Sequence, residues 1–318
     1  MIAYRMFQAT RAKGNVRVLL VSVAAFALAV AFEPASAKDK TFASPEDAVN
    51  ALVQAVKAHD RAGMLAVLGE GSASWISSGD KVADRATADR FVAAYETKHN
   101  LAMTGDKATL TIGDNDYPFA FPIVKSGDKW HFDTEAGKEE MLARRIGENE
   151  LDAIKVLQAV VDAEREYASV DRNGDGVLDY AQKFLSSPGK KDGLYWKTAE
   201  GEAQSPLGPL VGDASSQGYK GSGGKGQTPY HGYYYRMLKG QGKNAAGGAL
   251  DYVVRGHGIA GYAAIAYPAK YGNSGIMTFI VNQDGKVYQA DLGPNTQSRA
   301  TSMQRFDPDK AWTEVVAN

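Results

Sequence analysis

The chain has 318 residues, with 36 Lys and Arg against 37 Asp and Glu, and no cysteine. The near-neutral balance offers no polybasic surface for nucleic acid or anionic lipid. The lack of cysteine excludes disulfides, zinc–thiolate sites and a cysteine nucleophile.

Arg5, Arg11, Lys13 and Arg17 precede an apolar run over residues 18–32, and Ala35-Ser36-Ala37 follows it. That order predicts a secretory signal peptide, residues 1–37, cleaved after Ala37. The run is short for a bilayer span, which needs roughly 20 apolar residues. Cleavage leaves 281 residues of net charge −4. No later segment is apolar enough to span a membrane. The expectation is an exported chain, periplasmic or extracellular after signal peptide removal, with no transmembrane segment in the mature protein.

In "FASPEDAVNALVQAVKAHDRAGMLAVLG", Ser44 is placed to cap a helix, with Pro45 at its first position and Glu46 and Asp47 in its first turn. A second short helix carries Met64, Leu65, Val67 and Leu68, and a third covers residues 87–97. Strands follow at "LAMTG", "KATLTIG", "FAFPIVKSG" and "KWHFDT". Residues 38–145 thus read as an α+β domain. Residues 136–170 return to helical periodicity, with Gly147 expected to divide them into two helices and a domain boundary near residue 145. Residues 200–228, rich in Gly, Ser and Pro, read as a long loop, mobile at "GSGGKG". The last part reads as strands at "HGYYYRML", "GYAAIAYPA", "GIMTFIVN" and "KVYQADLG", the last two joined by the hairpin signal Gln283-Asp284-Gly285. The predicted fold class is α+β, in two domains, 38–145 and 146–318, each with helices packed on an antiparallel sheet.

Two partial resemblances accompany this order. The helical opening followed by antiparallel strands resembles nuclear-transport-factor-like domains. The long helix, loop and Tyr-rich sheet of residues 146–318 resemble pilin-like domains, although the lipid-embedded half of a pilin helix is missing. Taken together, "WHFDTEAGKEEMLARRIGENEL", "DGVLDYAQKFLSSPGKKDGLYW", "GYYYRML" and "YPAKYGNSGIMTFIVNQDGKVYQADLG" resemble one family of exported bacterial proteins, the domain of unknown function numbered 2950. That resemblance implies an envelope protein of Gram-negative bacteria and no defined activity.

One stretch has metal-ligand spacing. "DRNGDGVLDY" places Asp171, Asn173, Asp175, the Val177 carbonyl and Asp179 at positions 1, 3, 5, 7 and 9 of an EF-hand-like loop, with Gly176 at position 6. A helix before it and "YAQKFLSS" after it fit. Position 12, where a bidentate Glu belongs, is Gln182. The loop therefore reads either as a weak Ca²⁺ site or as a polar turn. His59, His99, His131, His231 and His257 show no zinc spacing. No nucleophile motif assigns a catalytic residue.

Eleven of the 16 tyrosines lie beyond residue 190. Tyr195, Trp196, Tyr233 and Tyr235, with Tyr230, Tyr234, Tyr262, Tyr267 and Tyr271 near them in sequence, are candidates for a sugar- or peptide-binding platform, since tyrosine joins a large apolar face to a polar tip. The functional expectation is a non-catalytic binding or structural module whose partner is an envelope component or protein. The alternative is an envelope glycan or peptide hydrolase with its site near His231 and His257.

Overall fold

The computed structural model describes residues 40–219 and 228–316, which belong to one compact unit, Ala37–Asn318. The expected signal peptide and the "GSGGKG" stretch fall outside the described residues. The fold is α+β.

Four helices come first: α1 Pro45–Lys57, α2 Arg61–Leu68, the single turn α3 Ala73–Ile76, and α4 Lys81–Thr97. Ser44 Oγ accepts the Asp47 N–H at 3.0 Å, so α1 starts where its cap and proline predict. Helix α4 starts six residues before the predicted 87–97 segment. The Asp80 carboxylate caps it, accepting from the Val82 and Ala83 N–H groups. Strands β1 His99–Thr104, β2 Lys107–Ile112, β3 Tyr117–Pro118, β4 Ile123–Ser126 and β5 Lys129–Phe132 form an antiparallel sheet of order β1-β2-β4-β5, with β3 beside β2. The strand expected from residue 119 begins only at Ile123, because Pro122 lacks an N–H to donate. Leu52, Trp75, Leu110, Ile123 and Phe132 fill the core between helices and sheet.

Helix α5 runs unbroken from Thr134 to Tyr167. The expected division at Gly147 does not occur. A single exposed glycine costs about 1 kcal/mol of helix propensity. The turns on either side outweigh it by burying Met141 and Leu142 against the first core and Ala153, Leu157 and Val160 against the second. Helix α6, Gly208–Ser216, lies inside the stretch expected to be loop. Pro209 in its first turn and Leu207, Leu210, Val211 and Ala214 at helical spacing account for it.

The second sheet contains β6 Tyr233–Leu238, β9 Ala263–Pro268, β10 Met277–Asn282, β11 Val287–Asp291 and β13 Thr313–Glu314, in the order β13-β11-β10-β9-β6, all antiparallel. Helix α5 covers one face. The other face carries α7 Thr296–Ser302 and a small sheet of β7 Gly240–Gln241, β8 Leu250–Asp251 and β12 Arg305–Phe306. Strand β9 is buried along its whole length, which explains its Ala-rich sequence with no polar alternation. The hairpin signal forms as expected, with Gly285 at φ +76° joining β10 to β11. Among the described residues, no helix is long and apolar enough to cross a membrane.

Candidate ligand-binding site

A cavity of about 570 Å³ opens between α5, α6 and β6. Val156 and Val160 of α5 face Leu210, Val211 and Ala214 of α6 across it. Phe184 and Leu185 close one side, and Tyr195, Tyr219, Tyr230 and Tyr235 bring phenol rings to its wall. Lys183 lies on the rim, tied to Asp192 at 2.8 Å and to Ser187 Oγ at 2.7 Å. A pocket of this composition suits a ligand with an apolar body and hydrogen-bonding groups at its edge.

Of the four residues predicted to bind ligand, Tyr195 and Tyr235 line the cavity, whereas Tyr233 and Trp196 do not. Tyr233 and Tyr235 share one face of β6 because side chains alternate along a strand. Gly275, however, closes directly over the Tyr233 ring. Tyr233 is fully buried against Phe279 and donates to the Met277 carbonyl at 2.9 Å, so it is a core residue. Trp196 is covered by Arg172 and Lys191, which lie 5.4 and 5.5 Å from its ring centre. Burial pushes the Tyr235 phenol well above its ordinary range, yet part of its surface is accessible, as befits a residue deep in a cavity. Its hydroxyl lies 3.3 Å from the Tyr230 carbonyl.

The tyrosine wall is braced from behind. Tyr219 donates to Asp80 Oδ2 at 2.8 Å, and the Gly232 N–H donates to the same oxygen at 3.1 Å. Asp80 Oδ1 meanwhile caps α4, so one fully buried carboxylate holds four donors from three segments. Burial and the Asp80 charge both raise the Tyr219 phenol. His231 packs against Tyr230 with ring centres 4.1 Å apart and planes tilted by 54°, and its Nδ1 lies 3.3 Å from Asp152 Oδ2. The backbone there is tight: His231 and Gly232 both have positive φ, +50° and +72°, and a Cβ on Gly232 would strike the Asn149 amide.

The loop at residues 171–182 has a different environment. Gly176 makes the sharp turn expected at position 6, with φ +85°. Asp171 accepts the N–H groups of Asn173, Gly174 and Gly176, and these bonds lower its pKa. Asp175 accepts from the Val177 N–H and the Asn173 amide. The loop therefore closes on its own amides. Asp179 and Asp175 face His257, whose Nδ1 is 3.5 and 3.7 Å from their carboxylates. Gln182 turns its amide to the Gly256 carbonyl. Residues 180–187 are not helical, which corrects the helix–loop–helix expectation. Their amides are drawn to distant partners: Tyr180 N–H to Gly258, and Ala181 N–H to the buried Glu164 carboxyl at 2.9 Å. Burial raises the Glu164 pKa well above 4.5. Among the described residues, no group of three or more His, Asp or Glu is disposed to hold a metal ion.

Sequence reasoning missed Asp80, Asp152 and the α6 side chains. Only the α6 stripe left a signal, its helical spacing within a glycine-rich segment.

A model of the family described as "Protein of unknown function (DUF2950)" matches residues 39–315. The chain belongs to that family. No curated protein matches it, and no solved structure does.

Proposed function

We propose that this member of the DUF2950 family is a non-catalytic binding module of the bacterial cell envelope, and that the cavity between α5, α6 and β6 holds its partner. The observation that carries this is the cavity itself: 570 Å³, apolar on the α5 and α6 sides and lined with tyrosines on the others. Such walls receive the flat faces of sugars or the side chains of peptides. Export and an envelope location rest on the N-terminal pattern of basic residues, apolar run and Ala35-Ser36-Ala37. Two further likenesses belong to the same reading. Helices α1–α4 against a five-stranded antiparallel sheet support the nuclear-transport-factor-like one, and α5 laid on β9–β11 supports the pilin-like one.

Co-sedimentation of the full chain with purified envelope material tests the proposal. Retention on the pellet is expected, with no fragments released into the supernatant. Absence of retention contradicts binding. Fragment release instead supports the hydrolase reading, which the His231–Asp152 pair beside Tyr230 favours.

A weak Ca²⁺ site at Asp171, Asn173, Asp175, Val177, Asp179 and Gln182 is also part of the proposal. It rests on the ligand spacing and the turn at Gly176. The Asp175 carboxylate accepts one N–H on each oxygen and keeps lone pairs for an ion, and Asp171 Oδ2 likewise accepts one, whereas Asp171 Oδ1 already accepts two. At 100 times its dissociation constant, Ca²⁺ would stabilise the fold by about 2.7 kcal/mol. The expected result is a calcium-dependent rise in Tm of a few degrees that Asp175→Ala abolishes. Identical melting in calcium and in chelator returns the loop to a polar turn.

A further inference from the structure

Strand β6 ends its sheet, with β9 paired along one side only. The main-chain groups of successive strand residues point to opposite sides, so a few fixed points set the phase for all of β6. The Gly232 carbonyl accepts the Ala269 N–H at 2.9 Å, which directs it towards β9. Tyr233 points away, exchanging both main-chain bonds with Tyr230 at 2.9 and 3.1 Å. Lys239 points away too: its N–H donates to the Gln304 carbonyl, and its carbonyl accepts the Tyr252 N–H. Between these tied positions, Tyr235 and Met237 present two N–H and two C=O groups outwards. Among the described residues, the one partner found for these four groups is the Arg236 guanidinium, 3.3 Å from the Met237 carbonyl.

The cavity runs along this edge. Tyr234, Tyr235, Arg236 and Met237 all line it, although consecutive residues belong to opposite faces of the sheet. Strand backbone with three of four outward groups lacking a partner among the described residues, beside an apolar recess, has the makings of strand addition: main-chain bonds give affinity, and the recess selects alternate side chains. An extended peptide presents bonding groups at every second residue, about 6.7 Å apart, and this is the spacing of Tyr235 and Met237. Glycan hydroxyls have no such repeat.

We infer that the cavity takes an extended peptide segment of a partner protein, which adds to β6 as a sixth strand. Its main chain bonds to Tyr235 and Met237, and an apolar side chain enters the recess beside Val156, Leu210 and Val211. The inference rests on the cavity being the binding site and names the chemistry of its occupant.

Amide hydrogen exchange on the full chain tests it in two stages. In the free protein, the Tyr235 and Met237 amides should exchange about 100-fold faster than those of Tyr234 and Arg236, which bond to β9. A random octapeptide library is then selected against the chain, and the best binder is synthesised. It should slow both amides about tenfold or more, and its analogue N-methylated at alternate residues should bind at least tenfold more weakly. Met237→Pro removes one outward donor and leaves the bonds to β9 intact, so it should weaken binding similarly; should it fail to fold, the N-methylated peptide carries the test. Slow exchange at Tyr235 and Met237 in the free chain overturns the inference. So does failure to select any peptide, or a peptide that binds without protecting these amides. Glycan fragments that perturb the tyrosines but leave the two amides fast overturn strand addition and leave the cavity standing. Failure of every envelope fraction to bind overturns the cavity reading as well.

Discussion

The Asp80 carboxylate joins the α4 cap to the tyrosine wall through four donors. Truncating it leaves buried N–H and O–H groups unpaired, each costing about 1–3 kcal/mol. Asp80→Ala should therefore lower unfolding stability by about 3 kcal/mol or more in urea melts, where a change below 1 kcal/mol would show that the network contributes little. Glu164 works in the opposite sense. Burial raises its folded pKa above the 4.5 of an exposed glutamate. Below pH 4.5 the group is protonated in both states, and stability is full. As pH rises, the unfolded chain ionises while the folded carboxyl stays neutral, so stability falls until the folded pKa is reached, by up to about 1.4 kcal/mol per pH unit. Relative to Glu164→Gln, the wild-type chain should lose stability over the pH range that opens above 4.5. A constant difference across that range would contradict the assignment. Neither residue was legible in the sequence. A lone Asp before a helix reads as a cap, and nothing in Asp80's neighbours announces Tyr219, which is 139 positions away.

At the scale of elements, caps and periodicity carried most of the information. Ser44-Pro45 placed α1, and the hairpin turn at Gly285 placed β10 and β11. Composition misled at α6, where glycine and serine masked a stripe of leucine and valine. Glycine misled again at Gly147, since a break depends on whether the flanking turns are held by burial, and both are. The Gly147 site is open, with nothing beyond its chain neighbours and the helix's own backbone within 4 Å of an added Cβ. Gly147→Ala should thus stabilise the protein by about 0.5–1 kcal/mol through helix propensity and a less flexible unfolded chain. Thermal or urea unfolding that shows a loss of stability would mean that α5 bends at this point.

On the scale of the molecule, the α+β class was legible because each half switches period clearly, from helix to strand. The cavity was not. It is assembled from α5, the 182–185 segment, Tyr195, α6 and β6, which lie far apart in sequence and meet only because α5 lies across the second sheet. Strand alternation does not sort the clustered tyrosines, since Tyr234 and Tyr235 both line it from β6. Tyr233, on the same face as Tyr235, is spent on the core beneath Gly275.

The cavity as binding site is open to a direct test. Ala214 lines it from α6 and is itself only half-buried, so Ala214→Trp fills it from the α6 side. The most direct measurement compares equilibrium binding of purified envelope material to the wild type and to this variant, alongside their melting temperatures. At least a tenfold loss of binding is expected, with Tm changed by no more than a few degrees. Equal binding by both proteins would contradict it.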